Sequence, residues 1–91
     1  MNCIFCKIVR GDIPAKKVYQ DDEVCAFHDV RPQAPVHLLI IPNVHVATLY
    51  DAGMRHVTAL GKMLALAGEL ARKEGATEGF RTIINTGKVG H

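Results

Sequence analysis

The stretch from Phe27 to His45, FHDVRPQAPVHLLIIPNVH, constrains this chain more than any other. Pro32 and Pro35 exclude helix there and push the residues before them, Arg31 and Ala34, towards extended backbone. A stiff, open loop must form. Val36 to Ile41 then reads VHLLII and is closed by Pro42 and Asn43, which predicts a short strand with His37 inside it. A titratable ring in an apolar strand needs a partner. The segment therefore places polar chemistry, with three histidines, on a rigid frame.

The remaining elements follow from periodicity. Ile4, Phe5, Ile8 and Val9 lie at helical spacing and stop at Gly11, predicting a short helix. Lys17 to Gln20 and Glu23 to His28 read as two strands joined by the acidic turn Asp21-Asp22. From Asp51 to Glu74 the period changes to 3.6, with Val57, Leu60, Leu64, Ala67 and Ala71 in one apolar stripe. Ala59, Met63, Leu66 and Leu70 form a second stripe beside it, read here as a subunit contact, with deeper burial in the chain's own domain as the alternative. Gly61 and Gly68 each weaken the helix by about 1 kcal/mol, which predicts a close backbone approach. Arg72, Lys73 and Gly75 suit the helix end, and Phe80 to Asn85 reads as a fourth strand. The fold class expected is α+β: an antiparallel sheet, one long helix and a short N-terminal helix.

With 91 residues the chain is a single domain that buries only about 60–65% of its unfolded surface. Charged residues make up 22% and the formal charge is +2, which gives no basis for a nucleic-acid or membrane surface. There is no signal-like N-terminus and no run of about 18 apolar residues. A cytoplasmic protein is the expectation. Three cysteines without an export signal argue against a disulfide framework.

Cys3-x-x-Cys6 allows both sulfurs to reach one tetrahedral ion at about 2.3 Å. A dithiol redox pair and two inert buried thiols are the competing readings. Cys25, inside VCAF, is a small core residue. Asp29 reads as a turn residue accepting backbone hydrogen bonds or as a ligand-binding carboxylate. His37 reads as a functional group or as a neutral core histidine hydrogen-bonded to a backbone carbonyl, and Asn85 as a phosphate-side amide or a strand-end cap. His28 is expected at the sheet edge or facing solvent, and His56 on the exposed side of the helix.

The segment Phe27 to His45, together with Cys3-Ile4-Phe5-Cys6-Lys7-Ile8, Ile13-Pro14-Ala15 and Asn85-Thr86-Gly87, resembles the histidine-triad (HIT) superfamily. The likeness is to its small dimeric nucleoside phosphoramidases and related nucleotide hydrolases. It implies a homodimer that binds a purine nucleotide or nucleoside phosphoramidate, with transfer or hydrolysis at the α-phosphate. In that chemistry a neutral histidine attacks phosphorus and a covalent nucleotidyl-enzyme intermediate is yielded to water. The resemblance assigns Asp29 to both ribose hydroxyls, and Ile4, Phe5, Ile13, Phe27 and Val30 to the apolar slot for the base. Asn85 goes to the phosphate side, His37 to support of the nucleophile, and Cys3, Cys6 and His45 to a structural zinc ion. His91 corresponds to a loop near the phosphate. The His-x-His-x-His strand that names the family should begin a few residues after Gly87, so residues 1–91 read as a member ending just before its nucleophile. A nucleotide-binding or zinc-stabilised module without catalysis is the alternative, and a redox protein using Cys3 and Cys6 a third.

Overall fold

The computed structural model describes residues 3–90. His91, expected near the phosphate, lies outside the described residues. Helix α1 spans Ile4–Arg10, followed by strands β1 (Lys17–Gln20), β2 (Val24–His28) and β3 (Leu38–Pro42) and the long helix α2 (Val57–Lys73). The strands form an antiparallel sheet in the order β1-β2-β3, which is the α+β architecture expected.

β2 is the central strand and is covered on both faces, which is why VCAF reads as continuous rather than alternating apolar residues. Its pairing with β3 sorts the faces. Cys25 opposite Ile41 and Phe27 opposite Leu39 point towards α1, where they join Ile8 in a core with Val9, Ile13 and Ala15 packed around it. Val24, Ala26 and His28, opposite Pro42, Ile40 and Leu38, point to the side of α2.

Both helices end in the same device. Gly11 at φ 85° and Gly75 at φ 92° adopt the left-handed conformation that only glycine takes without strain. In α1 the N–H of Gly11 donates to Ile8 and that of Asp12 to Lys7; in α2 Gly75 donates to Arg72 and Ala76 to Ala71. These are paired Schellman bonds, and they satisfy carbonyls the helix would otherwise leave open. The acidic turn also forms as expected. Asp21 Oδ1 accepts the N–H groups of both Glu23 and Val24 at 2.8 Å.

Several expectations are corrected. The helix predicted from Asp51 begins at Val57, because Gly53 is extended and splits the approach into two 3₁₀ turns, Leu49–Asp51 and Met54–His56. Phe80 to Asn85 is not a strand. A strand exists only as part of a ladder, and no described neighbour pairs with it. Between this segment, β3 and α2 runs an apolar groove of about 360 Å³ lined by Leu38, Ile40, Leu60, Leu64 and Phe80.

Burial divides the two stripes along the helix: Leu70 of the second and Ala71 of the first are buried, while Val57 and Leu64 of the first are exposed, Leu64 at 62%. Leu70, at the C-terminal end of the second stripe, is thus packed within the chain's own domain, whereas Ala59, Met63 and Leu66 of that stripe are half-buried. No atoms approach Gly61 within 4 Å of an added Cβ, and Gly68 meets only the Arg72 guanidinium at 3.9 Å, so neither glycine marks a close approach among the described residues. His56 is buried, not exposed, and its Nδ1 accepts the Gly53 N–H at 3.0 Å at the start of α2. His28 sits on the central strand, half-buried, with Nε2 3.2 Å from Glu74 Oε1. No described helix is long and apolar enough to cross a membrane.

Candidate functional site

The Pro-bracketed connection between β2 and β3 closes on itself through its two end residues. The N–H of Asp29 donates to the carbonyl of His37 at 3.0 Å, extending the ladder by one bond beyond the last strand pair. His37 therefore stands immediately before β3 rather than within it. Asp29 Oδ1 accepts the Arg31 N–H at 2.9 Å, an Asx turn that fixes the carboxylate over the loop. His37 Nδ1 accepts the Gln33 N–H at 3.0 Å, and its Nε2 lies 3.4 Å from Asp29 Oδ2. Both side chains remain partly exposed, so a ligand can reach them.

The turn-acceptor reading of Asp29 is realised, whereas His37 is neither a core residue nor bonded to a backbone carbonyl: it is partly exposed and accepts a backbone N–H instead. Neither arrangement excludes a ligand. A carboxylate has about four lone-pair sites, and the Arg31 bond and His37 contact engage one on each oxygen, leaving two for incoming hydroxyls. Arg31 and Gln33 were not singled out from sequence as site residues. Asp followed two residues later by a free N–H is an Asx signal that could have marked Arg31; the Gln33 bond depends on how the Pro-rich loop curls and has no local signature.

At the other end of the sheet, Cys3, Cys6 and His45 converge. Their donor atoms all lie within 4.8 Å of one another, and Cys6 Sγ is 3.2 Å from His45 Nδ1. The Cys3 thiol is shifted down chiefly by the Cys6 N–H that donates to it, whereas burial and the adjacent Cys3 push Cys6 up. Around a tetrahedral zinc ion, two sulfurs would stand about 3.8 Å apart and sulfur and nitrogen about 3.6 Å apart. Two soft thiols and an imidazole at this spacing fit that ion with small side-chain adjustments. Cys25 is fully buried and belongs to the core, as expected.

Of the residues assigned to the base slot, Phe5, Phe27 and Ile13 gather about one core, while Val30 stands apart. Ile4 and Phe5 line a cavity of about 330 Å³ shared with Cys3, Cys6 and His45. Phe5 is 41% exposed and its ring stands 6.2 Å from that of Phe27, which is itself buried beneath it. Ile13 packs against the same core, while Val30 projects from the loop at 89% exposure. Asn85 is exposed in the segment leading to the final 3₁₀ turn, Lys88–Gly90, which folds back so closely that a Cβ on Gly90 would lie 3.0 Å from Asn85 Cα.

A further cluster escaped the sequence reading because its members are far apart in the chain. Lys62 of α2 reaches Asp21 Oδ2 at 2.9 Å and Glu23 Oε1 at 2.8 Å, while Tyr19 OH donates to the same Asp21 oxygen at 2.6 Å. These donors, with Tyr19 first, hold the Asp21 carboxyl well below the usual range. The cluster ties the long helix to the β1-β2 turn.

The profile of the family described as scavenger mRNA decapping enzyme C-term binding matches residues 2–88. The chain is 50% identical to a purine nucleoside phosphoramidase of Escherichia coli K12 over 96% of its own length and 74% of that protein. It is 47% identical to a 14 kDa zinc-binding protein of Brassica juncea, covering 96% of this chain and 79% of the relative. Among solved structures, a HIT family hydrolase from Legionella pneumophila superposes with a TM-score of 0.93 at 47% identity, over 98% of this chain and 80% of that one. Fold, motif and sequence agree: the chain belongs to the histidine-triad (HIT) family.

Proposed function

We propose that this chain carries the nucleotide-binding part of a HIT-type hydrolase or transferase acting at the α-phosphate of nucleoside phosphoramidates or related nucleotide conjugates. The observation that carries the reading is the Asp29 carboxylate, pinned at Oδ1 by the Arg31 N–H, with His37 beside its other oxygen. A fixed carboxylate with free lone pairs suits two neighbouring hydroxyls, the arrangement a ribose presents. Phe5 over Phe27, with Ile4 and Ile13, offers apolar surface on which a purine can stack. Asn85 supplies an exposed amide for the phosphate side, and Val30 would have to fold over the base from its loop.

In this reading a neutral histidine attacks phosphorus, the bond to the leaving amine or phosphate breaks as the nucleotidyl-histidine bond forms, and water then releases the nucleotide. Residues 1–91 supply no His-x-His-x-His, since their five histidines are never two apart. His37 is accordingly a supporting group here. Cys3, Cys6 and His45 would hold a zinc ion that crosslinks α1 to the segment after β3, a structural role distant from the phosphorus chemistry. A homodimer belongs to the same reading, with exposed Leu64 and Val57 the apolar residues α2 has to offer a partner.

A second reading, a nucleotide-binding or zinc-stabilised module without catalysis, draws only on the Asp29 carboxylate and the Cys3, Cys6 and His45 cluster. Calorimetric titration with adenosine 5′-monophosphate tests what the two share. Saturable binding that Asp29→Ala weakens is expected, and an unaltered affinity in that variant would remove Asp29 from the site. Release of nucleoside monophosphate from an adenosine phosphoramidate by a preparation extended past His91, but not by residues 1–91, would support the catalytic reading over the module.

A further inference from the structure

The contacts between Asp29 and His37 bind the loop together twice, once through backbone and once through side chains. The backbone bond, Asp29 N–H to the His37 carbonyl, is independent of side-chain identity. The side-chain path is not. Because His37 Nδ1 accepts the Gln33 N–H, the neutral ring carries its proton on Nε2, the nitrogen that faces Asp29 Oδ2 at 3.4 Å. The ring is thus held by the loop at one nitrogen, and the other stands within ion-pair distance of the carboxylate without the geometry of a hydrogen bond.

Asp29 Oδ1 is already fixed by the Arg31 N–H, so the imidazole stands beside the oxygen that no other described group restrains. At 3.4 Å the contact is long for a hydrogen bond, and such contacts in unliganded sites commonly tighten when substrate arrives. The fold does not depend on it. Pro32 and Pro35 stiffen the loop, and the side chains of Asp29 and His37 are both partly exposed, where a single ion-pair contact adds little stability.

We propose that His37 is a positioning residue for sugar recognition: its imidazole, locked in one tautomer by the Gln33 N–H, aims Asp29 Oδ2 so that the carboxylate distinguishes a ribonucleotide from a nucleotide lacking sugar hydroxyls. The inference rests on the assignment of Asp29 to the ribose. It predicts that selectivity at the sugar, rather than binding of base or phosphate, runs through the histidine.

The test compares adenosine 5′-monophosphate with its 2′,3′-dideoxy analogue, by calorimetry, on the 91-residue chain and three variants. The unaltered chain should prefer the ribonucleotide by about tenfold or more, the value of one hydrogen bond to a charged group. Asp29→Ala should abolish the preference. His37→Asn keeps an acceptor where Nδ1 stood but cannot reach Asp29, and the preference should fall by about fivefold because the ribonucleotide loses more affinity than the dideoxy analogue. His37→Gln places an amide donor near the Nε2 position and should restore most of it. Equal loss for both ligands in His37→Asn, or no loss, overturns the proposal while leaving Asp29 in place. Absence of any preference in the unaltered chain overturns both assignments. A measurement independent of folding variants is available in nitrogen NMR of the neutral His37 ring, where a proton on Nδ1 instead of Nε2 would overturn the tautomer lock on which the inference stands.

Discussion

Leu70 and Leu64 are the same residue type on the same helix, six positions apart, and the structure gives them opposite weights. Leu70 is 2% exposed and Leu64 62%. Truncating Leu70 to alanine removes three buried carbons and leaves a cavity between α2 and the sheet, which places the cost at about 3 kcal/mol within the 2.7–5.0 range of such substitutions. A 91-residue domain unfolds with an entropy of about 0.2 kcal/mol/K, so the melting temperature should drop by about 15 °C. Leu64→Ala should cost less than about 0.5 kcal/mol, because its side chain is already largely in water. Urea unfolding followed by circular dichroism measures both, at two protein concentrations a hundredfold apart. The Asp29–His37 loop sits at the β2–β3 end of the sheet and is held by its own bonds, so nucleotide affinity of the folded Leu70 variant should be unchanged. A Leu70 cost under about 1 kcal/mol would refute the assignment of Leu70 to the interior. A large, concentration-dependent Leu64 cost would show that this face is covered by another copy.

Other outcomes follow from the remaining geometry. Zinc should bind with a stoichiometry near one per chain by elemental analysis of metal-loaded protein, and Cys6→Ser should reduce it while lowering the melting temperature only of the metal-loaded form; undiminished zinc in that variant would detach Cys6 from the site. Asp21, held below its ordinary value of 3.8 by Tyr19, Lys62 and two backbone N–H groups, contributes stability that is complete above that value and is lost as pH falls towards the folded-state value. Asp21→Asn should therefore flatten the acid side of the stability profile, measured as urea midpoint against pH, and an unchanged slope below pH 4 would count against the network. Gly61→Ala should stabilise the helix by about 1 kcal/mol, since nothing lies within 4 Å of the added methyl, and a destabilisation would reveal a contact outside this chain.

The elements that sequence announced correctly are those whose signals are local. The Schellman glycines at positions 11 and 75, the Asp21 turn and the apolar β2 each carry their own cause within a few residues, and each appears where expected. The cysteine pair is a local signal because spacing alone fixes how far two thiols can separate, while His45 follows only from the family resemblance; the structure brings all three donor atoms together. His56 was misread because its burial comes from the break at Gly53, which redirects the chain before α2 begins. The Lys62 cluster was invisible for a different reason. Its partners are 39 and 41 residues away, and nothing in a lysine on a helix face specifies the acidic turn it will meet.

The misplaced strand at Phe80 to Asn85 illustrates how propensity and pairing differ. Its β-branched and aromatic residues favour extended backbone, and extended backbone is what forms, but a ladder needs a second edge at about 4.8 Å. β3 has its outer edge open on the same side, and the apolar groove lies between the two. Phe80, Ile83 and Ile84 are each more than half exposed, far more than such residues are in a completed sheet, so the cost of leaving them wet falls on this segment rather than on β2 and β3. The loop bearing Asp29 and His37 hangs from the paired strands instead, so the Asp29 N–H continues the ladder and the Arg31 and Gln33 N–H groups find acceptors within the loop.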